Sequence, residues 1–114
     1  MRIIPKPWGQ EELIEHNEKY MMKKLLMNKG HRCSLQYHNF KIETIYVLEG
    51  QLLISVGKKE EELISEIYNP GSFITLRPGI IHRMEALSNC IYLEASTPEI
   101  EDVVRINDDY NREK

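Results

Sequence analysis

Frequent turn signals divide this chain into short segments, and their spacing limits the possible folds more than any other feature. Glycine, proline, asparagine and serine separate runs rich in apolar residues. In one such run Leu52, Ile54 and Val56 occupy alternate positions, and the turn signal Gly57-Lys58-Lys59 follows. Alternation between short turns is typical of antiparallel strands that bury one face. We count about eight to ten such segments and predict an all-β jelly roll or barrel in a single domain, residues 1–114.

The predicted strands follow the same pattern. Their ranges are 10–16, 20–27, 34–38, 52–56, 62–67 and 90–95, together with a strand that begins near Glu43 and short strands on each side of the turn at Pro78-Gly79. Two prolines make residues 3–9 an extended arm, with Trp8 as its anchor. Residues 99–110 mix acidic and aliphatic side chains, and they are predicted either to close the barrel end or to form a short helix.

Charge and composition exclude several classes of function. The chain has 114 residues and a formal net charge of −3, and its basic residues are scattered among acidic ones, so a nucleic-acid partner is not expected. No apolar run approaches the roughly 20 residues that span a bilayer, and Pro5 interrupts the short apolar start, so neither a membrane segment nor a signal peptide is predicted. Two cysteines, Cys33 and Cys90, suit a reducing compartment, and each is predicted to be a small buried apolar residue. We therefore expect a cytoplasmic protein.

Two stretches of the sequence concentrate polar side chains that are suited to metal binding. If residues 34–38 form a strand, alternation places the polar side chains of that region on one face, namely Arg32, Ser34, Gln36 and His38. Cys33 would lie on the opposite face. Glu43 follows at the mouth of an apolar interior, and His82 comes just after the turn at Pro78-Gly79.

The four residues that could bind one ion together are Gln36, His38, Glu43 and His82. This set of nitrogen and oxygen ligands has no thiolate, and it suits zinc, iron, manganese, cobalt or nickel, of which zinc is favoured. The same residues have structural interpretations that the sequence leaves open. The histidines can be hydrogen-bonded core residues, Gln36 can orient a ligand without binding the ion, and Glu43 can pair with Arg32 or Lys41 at the rim.

These motifs resemble the cupin superfamily, and most closely the cupin domain of the mannose-6-phosphate isomerase group, including the C-terminal domain of mannose-1-phosphate guanylyltransferase/isomerases. The matching stretches are Lys6-Pro7-Trp8-Gly9, residues 30–38 (GHRCSLQYH), Glu43, residues 77–83 (RPGIIHR) and residues 108–112 (DDYNR). The match runs nearly end to end. The chain departs from it at Asn39, Phe40 and Thr44, where those isomerase domains usually carry histidines.

The resemblance implies a cupin double-stranded β-helix that isomerises a sugar phosphate between its aldose and ketose forms. A bound divalent metal would act as a Lewis acid on the substrate carbonyl. The resemblance makes Arg32 a catalytic residue, and with Ser34 and Arg83 it would bind the anionic end of the substrate, because a guanidinium holds phosphate bidentately. For Arg32 the structural alternative is a salt bridge at the rim. The catalytic base is not assigned.

Two other functions remain open at this point. A non-catalytic sugar-binding or regulatory cupin is favoured by the departures from the isomerase pattern. A metal-dependent dioxygenase needs open positions for dioxygen and a redox metal, and Gln36 in place of a third histidine disfavours it. In each case the partner is a small molecule, and because cupins commonly pair through their sheets we expect a homodimer.

Overall fold

The computed structural model describes residues 2–112, which form eleven β-strands and one short 3₁₀ turn at Glu60–Glu62. Met1, Glu113 and Lys114, which belong to the predicted domain 1–114, lie outside the described residues. The strands are β1 (Arg2–Lys6), β2 (Gly9–His16), β3 (Met21–Met27), β4 (Leu35–Tyr37), β5 (Glu43–Glu49), β6 (Leu52–Gly57), β7 (Ile64–Tyr68), β8 (Phe73–Leu76), β9 (Ile81–Ala86), β10 (Cys90–Ser96) and β11 (Val104–Asn107). The prediction of an all-β fold is confirmed.

The strands form two antiparallel sheets. One sheet has the order β1-β2-β3-β10-β5-β8 and the other has the order β11-β4-β9-β6-β7. The core lies between them, where alternate side chains such as Ile45, Val47, Ile54 and Tyr92 are at most 1% exposed. Because β4, β5 and β9 contribute to the two sheets from separate parts of the chain, residues far apart in sequence meet in the hollow between the sheets.

Both ends of the chain join the sheets as strands. The arm predicted for residues 3–9 is extended, and β1 pairs along its length with β2. Trp8 at its end is only 4% exposed, as expected of an anchor. The tail, residues 99–112, forms no helix, and its strand β11 pairs with β4. The structure therefore has more strands than the eight to ten counted in the sequence, because the arm and the tail add one each.

The predicted strand 34–38 is shorter than expected. Only Leu35–Tyr37 is a strand, while Arg32 forms an isolated bridge to Glu85 and the amide of Cys33 donates to the carbonyl of Met84. Strict alternation of side chains requires a continuous strand. The directions predicted from alternation for the side chains of Arg32 and Cys33 therefore do not hold, whereas Ser34 keeps the predicted side and bonds to Gln36.

Gly9 lies where the arm turns into β2, with φ of +152°. A Cβ at this position would collide with the carbonyl oxygen of Leu26 on β3. We expect Gly9→Ala to lower the free energy of unfolding by about 2 kcal/mol, through the collision and the unfavourable φ together. Urea unfolding followed by Trp8 fluorescence measures this loss.

Gly71 provides the matched control for Gly9. It also has a positive φ, +91°, but a Cβ there would meet no described atom within 4 Å. Gly71→Ala is expected to cost about 1 kcal/mol, from backbone strain alone. Equal losses in the two variants would show that the contact between Gly9 and β3 contributes nothing.

The described residues, 2–112, include no helix long and apolar enough to cross a membrane.

Candidate metal centre

Three of the four predicted ligands meet at one buried point. His38 follows β4, Glu43 begins β5, and His82 is the second residue of β9. The Nε2 atoms of both histidines lie 3.2 Å from the same carboxylate oxygen, Oε1 of Glu43. The three potential ligand atoms lie within 4.8 Å of one another, and each of these residues is at most 2% exposed. Two imidazoles and a carboxylate from three strands thus share one centre.

Backbone carbonyls determine which nitrogen of each histidine faces this centre. Nδ1 of His38 donates to the carbonyl of Asp102, and Nδ1 of His82 donates to the carbonyl of Ile80 at 3.0 Å. A carbonyl oxygen only accepts hydrogen bonds, so each Nδ1 carries the proton, and in the neutral rings each Nε2 presents a lone pair. Two lone pairs directed at a carboxylate oxygen repel it unless a cation lies between them. The donor set therefore fits a bound divalent ion.

The carboxylate of Glu43 has two different neighbours. Oε1 faces the histidines, and Oε2 lies 3.3 Å from Nζ of Lys41. Burial acts to raise the pKa of Glu43, but its close contacts with the two histidines and the charge of Lys41 outweigh burial and hold that pKa well below its ordinary value. Burial acts to lower the pKa of His38, and Glu43 outweighs that effect and raises it. Glu43 is therefore ionised, and pairing with Lys41 leaves its other oxygen directed at the centre.

Gln36 lies close to the three residues. It is the register partner of His82 across β4 and β9, and it lines the same cavity as His38. Its side-chain oxygen accepts a hydrogen bond of 2.7 Å from the hydroxyl of Ser34, which is fully buried. A carbonyl oxygen has a second lone pair, so this bond orients Gln36 without excluding it as a ligand.

A cavity of about 110 Å³ opens beside the centre. His38, Glu43 and Gln36 line it from the sheets, and residues of the tail line it from the other side. Cys33 lines it too, so the prediction that Cys33 faces away from Gln36 and His38 is wrong, because the strand begins only at Leu35. Cys33 and Cys90 are free and buried, as predicted. Burial raises the pKa of the Cys33 thiol to about 11, so it stays a neutral apolar wall.

The family described as mannose-6-phosphate isomerase C-terminal matches residues 2–108. The chain belongs to this family. Its sequence is 33% identical over 84 residues to mannose-1-phosphate guanylyltransferase 2 of Escherichia coli O157:H7, covering 70% of this chain and 17% of that protein. It is 29% identical over 116 residues to mannose-1-phosphate guanylyltransferase ManC of Salmonella typhimurium, covering 97% of this chain and 23% of that protein. The chain therefore spans less than a quarter of the length of these relatives.

Comparison with a solved structure identifies the fold of this domain. The chain superimposes on an RmlC-like cupin from Shewanella frigidimarina with a TM-score of 0.75, covering 88% of this chain and 86% of that chain. The two sequences are 18% identical, so the likeness concerns the fold. The predicted cupin jelly roll is confirmed.

Two of the predicted site residues lie away from the cavity. Both the Nε and an Nη atom of Arg32 donate to the carboxylate of Asp109, at 2.6 and 3.0 Å. Arg83 donates to the carbonyls of Cys33 and Asn107, at 2.9 and 3.2 Å. Among the described residues that line the cavity, neither arginine is found. The salt bridge that the sequence left open for Arg32 is present, and both arginines hold the tail against the barrel.

The departures from the isomerase pattern also lie outside the cavity. Asn39 and Phe40 are exposed, with Phe40 at 74%, and the hydroxyl of Thr44 lies 2.9 Å from that of Thr75 on the exposed face of β5 and β8. None of the three is among the described residues that line the cavity. The changes at these positions therefore do not alter its wall.

The cavity also contains charged residues, Glu94 and Glu11 among them, for which the sequence predicted no role. Glu94 on β10 is 5% exposed, and Nζ of Lys41 lies 2.9 Å from it. On the arm side, Nζ of Lys23 and Nζ of Lys6 lie 3.1 and 3.7 Å from the carboxylate of Glu11. In sequence such residues are typical of solvated strand faces. The one hint in the sequence is that Glu94 lies two positions after Tyr92 and four after Cys90, so strand alternation places the three side chains on the same face of β10.

Asp102 in the tail organises the loop between His38 and Glu43. Its carboxylate accepts hydrogen bonds from the amides of Asn39, Phe40 and Lys41, at 3.0, 2.6 and 2.9 Å. Its carbonyl accepts the Nδ1 proton of His38. One tail residue therefore holds both the loop and the ring orientation of His38.

Proposed function

We propose that this domain is a metal-dependent aldose–ketose isomerase that interconverts mannose 6-phosphate and fructose 6-phosphate. The observation that carries the proposal is the convergence of His38, Glu43 and His82 beside a small polar cavity in a member of the mannose-6-phosphate isomerase C-terminal family. Two histidines and one glutamate are a typical ligand set of a catalytic zinc site. Such a site leaves a coordination position at which substrate can bind.

The proposed ion is zinc, held by His38, Glu43 and His82, with Gln36 as the fourth ligand. When bound, zinc supplies Lewis-acid polarisation of a substrate carbonyl. The chain's own residues prepare the site: two carbonyls set the histidine tautomers, Ser34 orients Gln36, and Lys41 holds Glu43 from behind. These contacts are buried or partly buried, which favours strong electrostatic interactions with a substrate.

The phosphate of the substrate is proposed to bind at the arm and tail end of the cavity. Four cations line that region: Lys6, Lys23, Arg105 and Arg112. Arg112 is paired with Asp108, while Lys6 and Lys23 share the single carboxylate of Glu11, so the two lysines leave one positive charge in excess for an anion. We assign Arg32 and Arg83 a positioning role, because their contacts fix the tail that carries Arg105 and Arg112.

Turnover is the direct test of this proposal. Zinc-loaded protein is expected to convert mannose 6-phosphate to fructose 6-phosphate. An enzyme-coupled assay of the fructose 6-phosphate formed measures the rate. Removal of the metal by chelation should abolish the reaction, and added zinc should restore it. Saturable binding of either sugar phosphate without turnover would instead identify a sugar-binding cupin, and oxygen consumption by the iron form would identify an oxygenase.

The homodimer stays a prediction. The outward face of the six-stranded sheet exposes large side chains, including Tyr46, Leu48 and Phe73 at 42%, 40% and 66%. Tyr46 is the register partner of Phe73, so these two rings lie side by side. An apolar face of this kind is typical of surfaces that contact another chain.

A further inference from the structure

The inward face of β10 brings two reactive side chains to the cavity. Tyr92 and Glu94 are two positions apart and both line it, with exposures of 0% and 5%. Residues two apart on a strand point to the same side, roughly 7 Å from each other. A sugar that contacts the metal centre would therefore pass along both side chains.

Most other titratable groups of the cavity are already engaged. Glu43 and His38 belong to the candidate metal centre, and Asp102 accepts three amide hydrogen bonds. Lys41 is held by the carboxylates of Glu94 and Glu43, at 2.9 and 3.3 Å. Glu11 is held by two lysines at the arm side. Glu94 is the remaining carboxylate among the described residues of the wall.

Lys41 places Glu94 close to the metal centre. Its Nζ lies 2.9 Å from Oε2 of Glu94 and 3.3 Å from Oε2 of Glu43, so one ammonium bridges the two carboxylates. Burial, together with the charge of Glu43, raises the pKa of Glu94 above that of an ordinary carboxylate. A carboxylate in this position is more basic than a surface glutamate and lies within reach of a molecule at the centre.

Tyr92 has an unused hydrogen-bonding group. Its hydroxyl is buried, and within residues 2–112 it has no hydrogen-bond partner. Burial raises the pKa of the phenol well above its ordinary value, so the hydroxyl keeps its proton. Because an unpartnered buried hydroxyl is costly, a ligand oxygen in the cavity is the natural acceptor.

We propose that Glu94 is the catalytic base of this site and that the Tyr92 hydroxyl donates a hydrogen bond to the substrate oxygen beside it; the proposal rests on the proposed isomerase function. In the aldose, the carboxylate of Glu94 takes the proton from C2. The electron pair of that C–H bond forms the C1–C2 double bond, and the carbonyl oxygen at C1 takes up the negative charge. Glu94 then returns the proton to C1 as the C2 carbonyl forms, and the hydroxyl proton passes from O2 to O1. No oxidant or reductant is needed.

Glu94→Gln tests the base. The zinc-loaded variant is expected to lose about 1000-fold in kcat for mannose 6-phosphate, within the range of general-base catalysis. The variant should also stop incorporating solvent deuterium at C2 of the sugar. Its zinc content should stay at the wild-type level. Its affinity for unreactive mannitol 6-phosphate, measured by calorimetry, should also be unchanged. Glu12→Gln is the matched control. Glu12 lies on β2 and is not among the described residues that line the cavity. Its carboxylate accepts a hydrogen bond from the side chain of Gln10.

Tyr92→Phe tests the donor independently of turnover. Loss of one hydrogen bond to the ligand should weaken the affinity for mannitol 6-phosphate about tenfold, and kcat should fall about 100-fold. Unchanged affinity and unchanged kcat would remove Tyr92 from the proposal.

The outcomes separate the two claims. If the wild type isomerises the sugar and Glu94→Gln keeps its kcat, the assignment of the base is overturned and the proposed function stands. If the wild type neither isomerises nor exchanges deuterium, the proposed function fails and the base with it. Should Glu94→Gln fail to fold, Glu94→Ala also removes the carboxylate, and wild-type kcat in that variant likewise overturns the assignment.

Discussion

Replacing His82 by alanine is expected to abolish stoichiometric zinc binding. Its Nε2 atom is one of three ligand atoms within 4.8 Å of one another, and no other described histidine, cysteine or acidic residue joins the group. Loss of a group that only orients a metal ligand typically weakens metal affinity by roughly 10- to 100-fold. Loss of a ligand itself should weaken zinc affinity by more than that. Elemental analysis after dialysis against metal-limited buffer measures the zinc that remains. We expect the same loss for His38→Ala.

His16→Ala is the control for these two variants. His16 is exposed, and its Nε2 lies 2.9 Å from the carbonyl of Pro98, far in sequence from the candidate ligands. It should retain one zinc per chain. Full zinc occupancy in both His38→Ala and His82→Ala would exclude the proposed ligand set.

Asp102→Ala is expected to loosen the loop that carries His38 and to destabilise the fold. The substitution removes the acceptor of three amide hydrogen bonds, and at about 1 kcal/mol each we expect the free energy of unfolding to fall by about 3 kcal/mol. Zinc affinity should fall about 10- to 100-fold, because without the carboxylate the loop that carries His38 is no longer tied to the tail, and the backbone carbonyl of residue 102 is no longer fixed against the His38 ring. Urea unfolding and a zinc titration measure the two effects. Glu101→Ala, at the exposed neighbouring position, should change neither.

The contribution of Asp102 should depend on pH. Burial acts to raise its pKa, but the three amide hydrogen bonds outweigh burial and lower it. A carboxylate with a lowered pKa in the folded state stabilises the protein above its unfolded pKa of about 3.9, and this stabilisation is lost as the pH falls through the folded pKa. The stability difference between the wild type and Asp102→Ala should therefore be constant near neutral pH and shrink in acid. A difference that does not change down to the acid-unfolding limit would show that the carboxylate charge is not what binds the loop.

Local patterns in the sequence were sufficient for the fold class and for placing three residues of the candidate metal centre. Strand alternation and turn residues depend on neighbours along the chain, which is why the strand segments and the all-β class could be predicted. The three candidate ligands lie at or beside strand ends, next to turns that the sequence shows: His38, Glu43 and His82. Their positions relative to these turns were therefore enough to predict that they point inward. The prediction for Cys33 was wrong because it assumed a continuous strand where the backbone is irregular.

The charges that complete the cavity depend on long-range contacts. Arg32 pairs with Asp109, 77 positions away, so it holds the tail although it precedes the metal motif. Glu94 meets Lys41 only because β10 lies beside β5 in the six-stranded sheet.

The sequence by itself determined the periodicity of the strands, the cupin motifs and three side chains that could share an ion, because each of these is written in residues close together in the chain. The tertiary structure alone decided which charges are buried, which oxygen of Glu43 faces the histidines, and which carboxylate faces the cavity. The physical reason is that the energy of a charge depends on the partners and the solvent around it, and those are set by the packing of distant strands.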